Sequence, residues 1–502
     1  MNTIESLPDG AAFLNRLRSE YREWFASRHP IVLARAPGRL DVMGGIADYS
    51  GATVCEMPIA EAAFVAMQRR DDDLVCVRTT AEVAANEVTF SLSNLLIDYE
   101  AAHRTLSANE DTHWAAYVLG AFPVLTAERG VDFVGGVNIL LDSAVPLGKG
   151  VSSSAAIEVA TLRALAVLER LAISAYELAT LAQTMENRVV GAPCGLMDQL
   201  TSVFGEAHHL LKIRCQPGGE ITALAIPENL HFIGIDSGVR HAVTGASYGD
   251  VRVAAFMGYR IIADALDLKL ELGDLRPAGA DRSNLKFEIS DLRQVRADCS
   301  NLKFEISDGQ QVRIDDPTYR GFLCNIPRAR FHSQFLPLLP EQMRGDEFLA
   351  QFGGTTDTVT KVDPARDYFV RAATTHPVEE EARVQQFMGL LAGAMNPDSL
   401  SALGDLMYQA HASYSRCGLG SEATDAIVAA VREAGTARGL FGAKITGGGS
   451  GGTVAVLAFG EAGVATAIEI AATHARNFGI NPYIFRGSSP GAAQVEPFLL
   501  EY

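Results

Sequence analysis

The chain has 502 residues, 48% of them apolar, and a formal net charge of -18. That length allows two or three domains with large cores, and the acidic balance argues against a nucleic-acid surface, which needs basic patches to neutralise phosphates. The seven cysteines are scattered and odd in number, with no C-x-x-C, which argues against a disulfide or zinc framework and for a cytoplasmic, reducing setting.

The start, "MNTIESLPDG", has neither the basic region nor the apolar run of a secretory leader. No apolar run reaches the length of a membrane span, so no membrane partner is expected. Residues 11–29 predict a leading helix, with apolar positions at Phe13, Leu14, Leu17, Tyr21, Trp24 and Phe25. Strand-like runs follow in "IVLARAPGR", "ATVCEMPI", "AAFVAMQ" and "DLVCVRTT". "HWAAYVLGAFPVLTAE" predicts a helix, and "GVNILLDSAVP" a strand. "SSAAIEVATLRALAVLERL" is Ala/Leu-rich and predicts a long helix. "SAYELATLAQTMENRVV" predicts another, capped by Ser174. "HFIGIDSGVR" reads as a strand that opens a second domain, and "GAKITGGGSGGTVAVLA" as a glycine hinge into an apolar strand. "SNLKFEISD" occurs at 283–291 and again at 300–308, each followed by "QVR"; this is a tandem duplication in an insertion around 281–314.

Three motifs carry chemistry. "PLGKGVSSSAA", Pro146 to Ala156, sits between a strand and a helix. Its glycines let backbone N–H groups approach an anion, and the helix N-terminus adds unpaired donors. A serine-rich helix cap is the plainer reading. "ENRVVGAPCGLMDQLTSVFG" holds Glu186 and Asp198 in an apolar setting. A carboxylate there suits a substrate hydroxyl proton or a metal; a helix cap and a solvated face are the alternatives. "KITGGGSGGT" has a glycine backbone that permits close approach to a loop or ligand, or makes a simple turn. Ahead of all three lies "GRLDVMGGIADYSGA", which places Arg39, Asp41 and Asp48 among glycines. Asp41 reads by default as a cap in the turn.

These segments, with "DSGVRHAVTGASY", "HPVEEEARV" and "LGDLMYQAHASY", occur in one order, and that order resembles the galactokinase branch of the GHMP (galacto-, homoserine, mevalonate and phosphomevalonate) kinases. The resemblance runs from about Ala34 to about Ala492. It implies an α+β, two-domain GHMP-kinase fold: a mixed-sheet N-terminal domain over 1–228, an α/β C-terminal domain over 229–502, and an active site in the cleft. It implies ATP and Mg²⁺ as cofactors and a small sugar as partner, in a monomer or homodimer.

The resemblance also implies roles. Asp198 and Arg39 are catalytic. Asp48, Gly45, Ile46, Gly195 and Tyr248 bind the sugar. Gly148, Lys149, Gly150, Ser152, Ser153 and Ser154 hold the nucleotide phosphates, with Trp114 against the adenine. Ser154 and Glu186 hold the metal. The family signature usually carries Glu-His where this chain has Gly45-Ile46. A galactose C6 hydroxyl would meet fewer partners there, and an unpaired buried hydroxyl costs about 1–3 kcal/mol. L-Arabinopyranose has the galactose ring without that group, and "DVMGGIADYSG" also resembles the kinase portion of plant L-arabinokinases. The expected activity is therefore an ATP-dependent sugar 1-kinase acting on L-arabinose. D-Galactose or another sugar or uronate, or a non-catalytic sugar sensor, are the alternatives.

Overall fold

The structure is a computed structural model that describes residues 2–25, 28–239, 248–266, 270–271, 311–481 and 483–501. Both copies of the duplicated nonapeptide lie outside these residues. The chain divides into two compact units, one of residues 1–248 with 379–502, the other of residues 249–378.

Two sheets organise the larger unit. Their strands, in chain order, are β1 (Ile31–Met43), β2 (Thr53–Arg69), β3 (Leu74–Thr79), β4 (Glu87–Ser91), β5 (Val137–Ser143), β6 (His209–Arg214), β7 (Ile221–Ala225), β8 (Leu230–Asp236), β9 (Leu440–Ile445), β10 (Thr453–Phe459), β11 (Ile484–Phe485) and β12 (Phe498–Leu500). The large sheet runs β12-β1-β2-β5-β3-β4, with β6 on the first part of β2 and β7 outside it. Only its β3–β5 pairing is parallel. The small sheet runs β9-β10-β8-β11 and is antiparallel throughout. Thus β8, where the sequence reading opens a second domain, lies in the larger unit.

The long strands exceed expectation. "ATVCEMPI" and "AAFVAMQ" read as two strands but form one, β2, which runs through Pro58. Likewise β1 does not stop at Arg39. It continues to Met43, with register shifts at Pro37/Arg39 and Asp41/Met43. Such irregularities twist a strand locally and re-aim its side chains. Every residue of β1 is buried.

The leading helix α1 covers Pro8–Glu20 and ends before the aromatic pair Trp24-Phe25. The helix expected over 113–128 forms three short pieces, a tight turn at His113–Ala115 followed by Ala116–Leu119 and Ala121–Arg129, which part at Gly120. Helix α2 (Ser153–Leu168) is almost wholly buried and packs on β1 and β2. Its Val159, Leu162 and Leu165 share the main core with Val42, Val54, Met57 and Ile139. Helix α3 (Ala175–Thr184) begins with a reciprocal capping box between Ser174 and Glu177. It continues through a wider turn, Met185–Val190, in which Gly191 N–H reaches Glu186 O. Helix α4 (Met197–Phe204) follows.

The smaller unit contains most of helix Tyr248–Ala265 and is fixed by buried polar pairs. Arg252 grips Asp357 with two bonds of 2.7 Å, and Tyr259 donates to Asp316 at 2.5 Å.

Candidate active site

Four sequence motifs converge within the larger unit. The loop before α2 crosses β1, where Arg39 N–H donates to Val151 O at 3.1 Å. Gly38 permits the crossing, since a Cβ there would stand 2.5 Å from that carbonyl. Gly148, Gly150 and Ser152 all have positive φ, at 71°, 70° and 59°. The loop therefore turns its backbone tightly before the N-terminus of α2. The Ser152 hydroxyl is buried without a hydrogen-bond partner. A buried donor with no partner, at the N-terminus of a sixteen-residue helix, suits an anion.

The glycine segment after β9 packs on this loop. A Cβ on Gly447 would stand 2.6 Å from Gly150 O, and one on Gly452 2.9 Å from Lys149 O. Thr453 Oγ1 donates to Lys149 O at 2.8 Å. The Lys149 ammonium pairs with Asp236, at the end of β8, at 2.7 Å. The "hinge" is thus a close-packed support for the anion loop.

Arg39 ties the motifs together. Its Nε donates to Asp198 Oδ1 at 2.9 Å, and its Nη1 to Gly150 O at 2.7 Å. Glu56 lies 3.3 Å from its Nε. Burial acts to lower the Arg39 pKa, but Asp198, Glu56 and Asp41 outweigh it and hold the guanidinium charged. Burial, and then Asp41, push the Glu56 carboxyl well above its usual range. Asp198 stands in the first turn of α4 with its side chain 20% exposed, whereas Arg39 is nearly closed off. The carboxylate therefore faces outward from a buried clamp.

Asp48 lies beside the turn that leads to Asp198. A Cβ on Gly195 would overlap the Asp48 carboxylate, so glycine is required there. The Tyr248 ring meets Tyr49 edge-on at 5.7 Å. Ile46 is buried and has φ 54°, a left-handed conformation that is costly for a β-branched side chain. Trp114 is partly buried against the main core, and its indole N–H donates to Ala85 O at 2.8 Å.

Asp41 is not a turn cap. It lies within β1, fully buried, and pairs with the fully buried Lys444 at 2.8 Å. It also accepts from Gly447 N–H at 3.2 Å and from the Tyr414 hydroxyl at 3.2 Å.

Glu186 sits in the wide turn after α3. It accepts from Gln199 Nε2 at 2.6 Å and from the Ser154 hydroxyl. Burial, and then the Asp198 charge, push its carboxyl up to about 7. Glu158 on α2 lies beside it, 3.4 Å from the same Gln199 nitrogen. Burial, then Glu186, hold Glu158 well above its usual range. No group of three or more His, Cys, Asp or Glu side chains among the described residues is arranged to hold a metal. A carboxylate beside a hydroxyl is a donor pair that suits a Mg²⁺ ion shared with phosphates, and the raised Glu186 carboxyl suits a cationic partner.

Residues 116–206 match the GHMP kinases N terminal domain, and residues 391–477 the GHMP kinases C terminal domain. Residues 19–69 match the galactokinase galactose-binding signature. An L-arabinokinase of Arabidopsis thaliana is 40% identical over 503 residues, which cover 92% of this chain and 46% of that protein. The chain carries the N-terminal and C-terminal domains of the GHMP kinases.

A galactokinase of Chloroflexus aggregans is 34% identical over 52% of this chain and 63% of its own length. The chain spans about half the length of the curated relatives it matches. Among solved GHMP-kinase folds, Lactococcus lactis galactokinase complexed with galactose superposes with a TM-score of 0.68 at 17% identity, covering 98% of this chain and all of that one. A mevalonate kinase reaches 0.51 at 14%, over 91% and 99%. No helix among the described residues is long and apolar enough to cross a membrane.

Sequence reasoning overlooked Glu56, Glu158, Gln199, Tyr414 and Lys444. All five are buried. Glu56 in "TVCEMPI" and Glu158 in "AAIEVATL" carried a signal, as carboxylates within apolar runs.

Proposed function

We propose that this chain transfers the γ-phosphoryl group of ATP to the anomeric hydroxyl of a galactose-configured pyranose, with L-arabinose as the preferred sugar. One observation carries the reading: Arg39 bonds Asp198 and the Gly150 carbonyl at once, at 2.9 and 2.7 Å. A proton acceptor is thereby held against a phosphate cradle. Phosphoryl transfer needs that kind of positioning and charge neutralisation more than covalent help.

In this reading the backbone at Gly148, Gly150, Ser152 and Ser153 binds the nucleotide phosphates, with Lys149 beside them and Trp114 near the base. Ser154 and Glu186 hold Mg²⁺, which when bound neutralises phosphate charge. Asp48, Gly195 and Tyr248 orient the sugar. Asp198 holds the anomeric hydroxyl and takes its proton as that oxygen bonds to the γ-phosphorus. The bond from phosphorus to the bridging oxygen breaks, and ADP leaves. Arg39 balances charge between the two oxygens. The family division at 228/229 then separates the anion loop and Asp198 from the glycine support at 447–452.

Sugar choice rests on Gly45 and Ile46, which offer a C6 hydroxyl no side-chain acceptor. The galactokinase signature over 19–69 favours D-galactose as the second reading. ADP release with L-arabinose and D-galactose at matched concentrations tests both. L-Arabinose is expected to give the higher kcat/KM, and a clear preference for galactose sinks the first reading.

A further inference from the structure

The bare position 45 has a physical cause. A Cβ built on Gly45 would overlap two groups, the Tyr414 hydroxyl and the Asp41 carboxylate, both well inside 3.0 Å. Neither group is free to withdraw. The Tyr414 hydroxyl lies 2.9 Å from Gly447 O and 3.2 Å from Asp41 Oδ2. Asp41 is held by Lys444 Nζ at 2.8 Å and by Gly447 N–H. The Lys444 ammonium lies 5.2 Å from the centre of the Tyr414 ring. All three side chains are fully buried. Gly44, at φ 103°, and Ile46, at φ 54°, fix the backbone on either side, so the Cα–Cβ direction of residue 45 is set.

We propose that Tyr414 is a specificity-positioning residue. Its hydroxyl fills the volume that a side chain at 45 would need, and so keeps acceptor groups out of the turn that faces the sugar. This rests on the sugar 1-kinase reading and adds the element that decides between a pentose and a hexose. A substitution at 45 alone therefore cannot convert the site. Residues 45 and 414 act as a pair, with 414 controlling what 45 is able to be. Leucine at 414 removes the hydroxyl and ring tip, and gives the Asp41 carboxylate room to turn while Lys444 stays in place.

The test is a double-mutant cycle of Gly45→Glu and Tyr414→Leu, with Gly45→Ala as a milder step at the same position. Two quantities are read: the unfolding midpoint, which needs no substrate, and the ratio of kcat/KM for D-galactose to that for L-arabinose. Gly45→Ala is expected to lower the midpoint by about 1–4 °C, as overpacking of a full core does in a chain of this length. That loss shrinks or vanishes when Tyr414→Leu is already present. Gly45→Glu alone is expected to be insoluble or inactive. With Tyr414→Leu it recovers, and the galactose-to-arabinose ratio rises by about tenfold or more, the scale set by one buried hydroxyl gaining its partner.

Additive midpoints overturn the proposal, because residue 414 then does not control 45. Rescue of folding with an unchanged ratio overturns it too, since the pair is then structural only. A purely structural role would lower both sugars alike. If the wild-type chain phosphorylates neither sugar, the sugar-kinase reading fails and takes the specificity claim with it, while the midpoint cycle still reports the packing.

Discussion

Two buried sets of charge in the larger unit are balanced in different ways. The first joins Arg39 and Lys444 to Asp198 and Asp41, with Glu56 pushed towards neutrality by its burial. Two fixed cations meet two carboxylates. The second joins Glu186 and Glu158 through Gln199, with Ser154 as a further donor. Its donors are neutral. The first set is complete within the protein and behaves as a frame. The second relies on something that comes and goes, a proton or a cation. A buried carboxylate with no fixed cation must respond to both.

The strongest way to break the contrast is at the exposed end of the frame. Asp198→Ala is expected to cut sugar-dependent ADP release by about 10²–10⁴-fold, the usual scale for a lost general base. Nucleotide binding, read by equilibrium titration, is expected to persist. Release at the wild-type rate would remove Asp198 from the chemistry.

Lys444→Met attacks the closed end. It strands Asp41 without its cation, and breaking one side of a buried pair costs about 3–5 kcal/mol. Urea unfolding measures this. Adding Asp41→Asn to the variant is expected to restore part of the loss. A cost near zero would mean that the first set is not a frame.

The second set is probed by pH. Glu186 titrates near 7 in the folded chain, above its ordinary range. A raised acid favours the folded state only while protonated. The contribution is therefore full below about pH 4.5 and is lost as pH rises through 7. In EDTA the free energy of unfolding, read from urea titrations, is expected to fall between pH 5.5 and 8, by on the order of a few kcal/mol at most. Saturating Mg²⁺ or Glu186→Gln is expected to flatten that slope. An equal slope in all three would separate Glu186 from any cation. The smallest effect is expected from Gln199→Met, which removes the bridge at 2.6 Å. Loss of such a supporting bond raises the Mg²⁺ requirement by about tenfold, read as activity against magnesium concentration.

The sequence made some of this plain and concealed the rest for definable reasons. Helix α2 was legible because Ala/Leu-rich composition and the serines before it agree. Ser174 and Glu177 announced α3 through their spacing. The continuity of β1 was not legible. Pro37 and Gly38 ordinarily end a strand, yet the register shift there absorbs them, and the chain runs on to Met43. Asp198 and Arg39 stood out only through the family order of the motifs around them, since their pairing spans 159 positions. Lys444, Tyr414 and Asp41 meet over 373 to 403 positions, and no local pattern marks such a meeting. Gly45 was legible as an oddity but not as a consequence. Its cause lies on a helix far along the chain, in the hydroxyl of Tyr414.

One pairing has a bearing on how the chain is made. Strand β12 completes the edge of the large sheet by pairing Phe498 with Leu33 and Leu500 with Ile31. During synthesis, β1 emerges early and its partner on that side emerges late. At a ribosomal pace of about 5–20 residues per second, the interval is on the order of tens of seconds. Throughout it, the strand that carries Arg39 has an unpaired edge at its apolar start, Ile31 to Leu33, the kind of surface that recruits chaperones or neighbouring nascent chains. Shielding that edge until translation reaches β12 is expected to favour a soluble product.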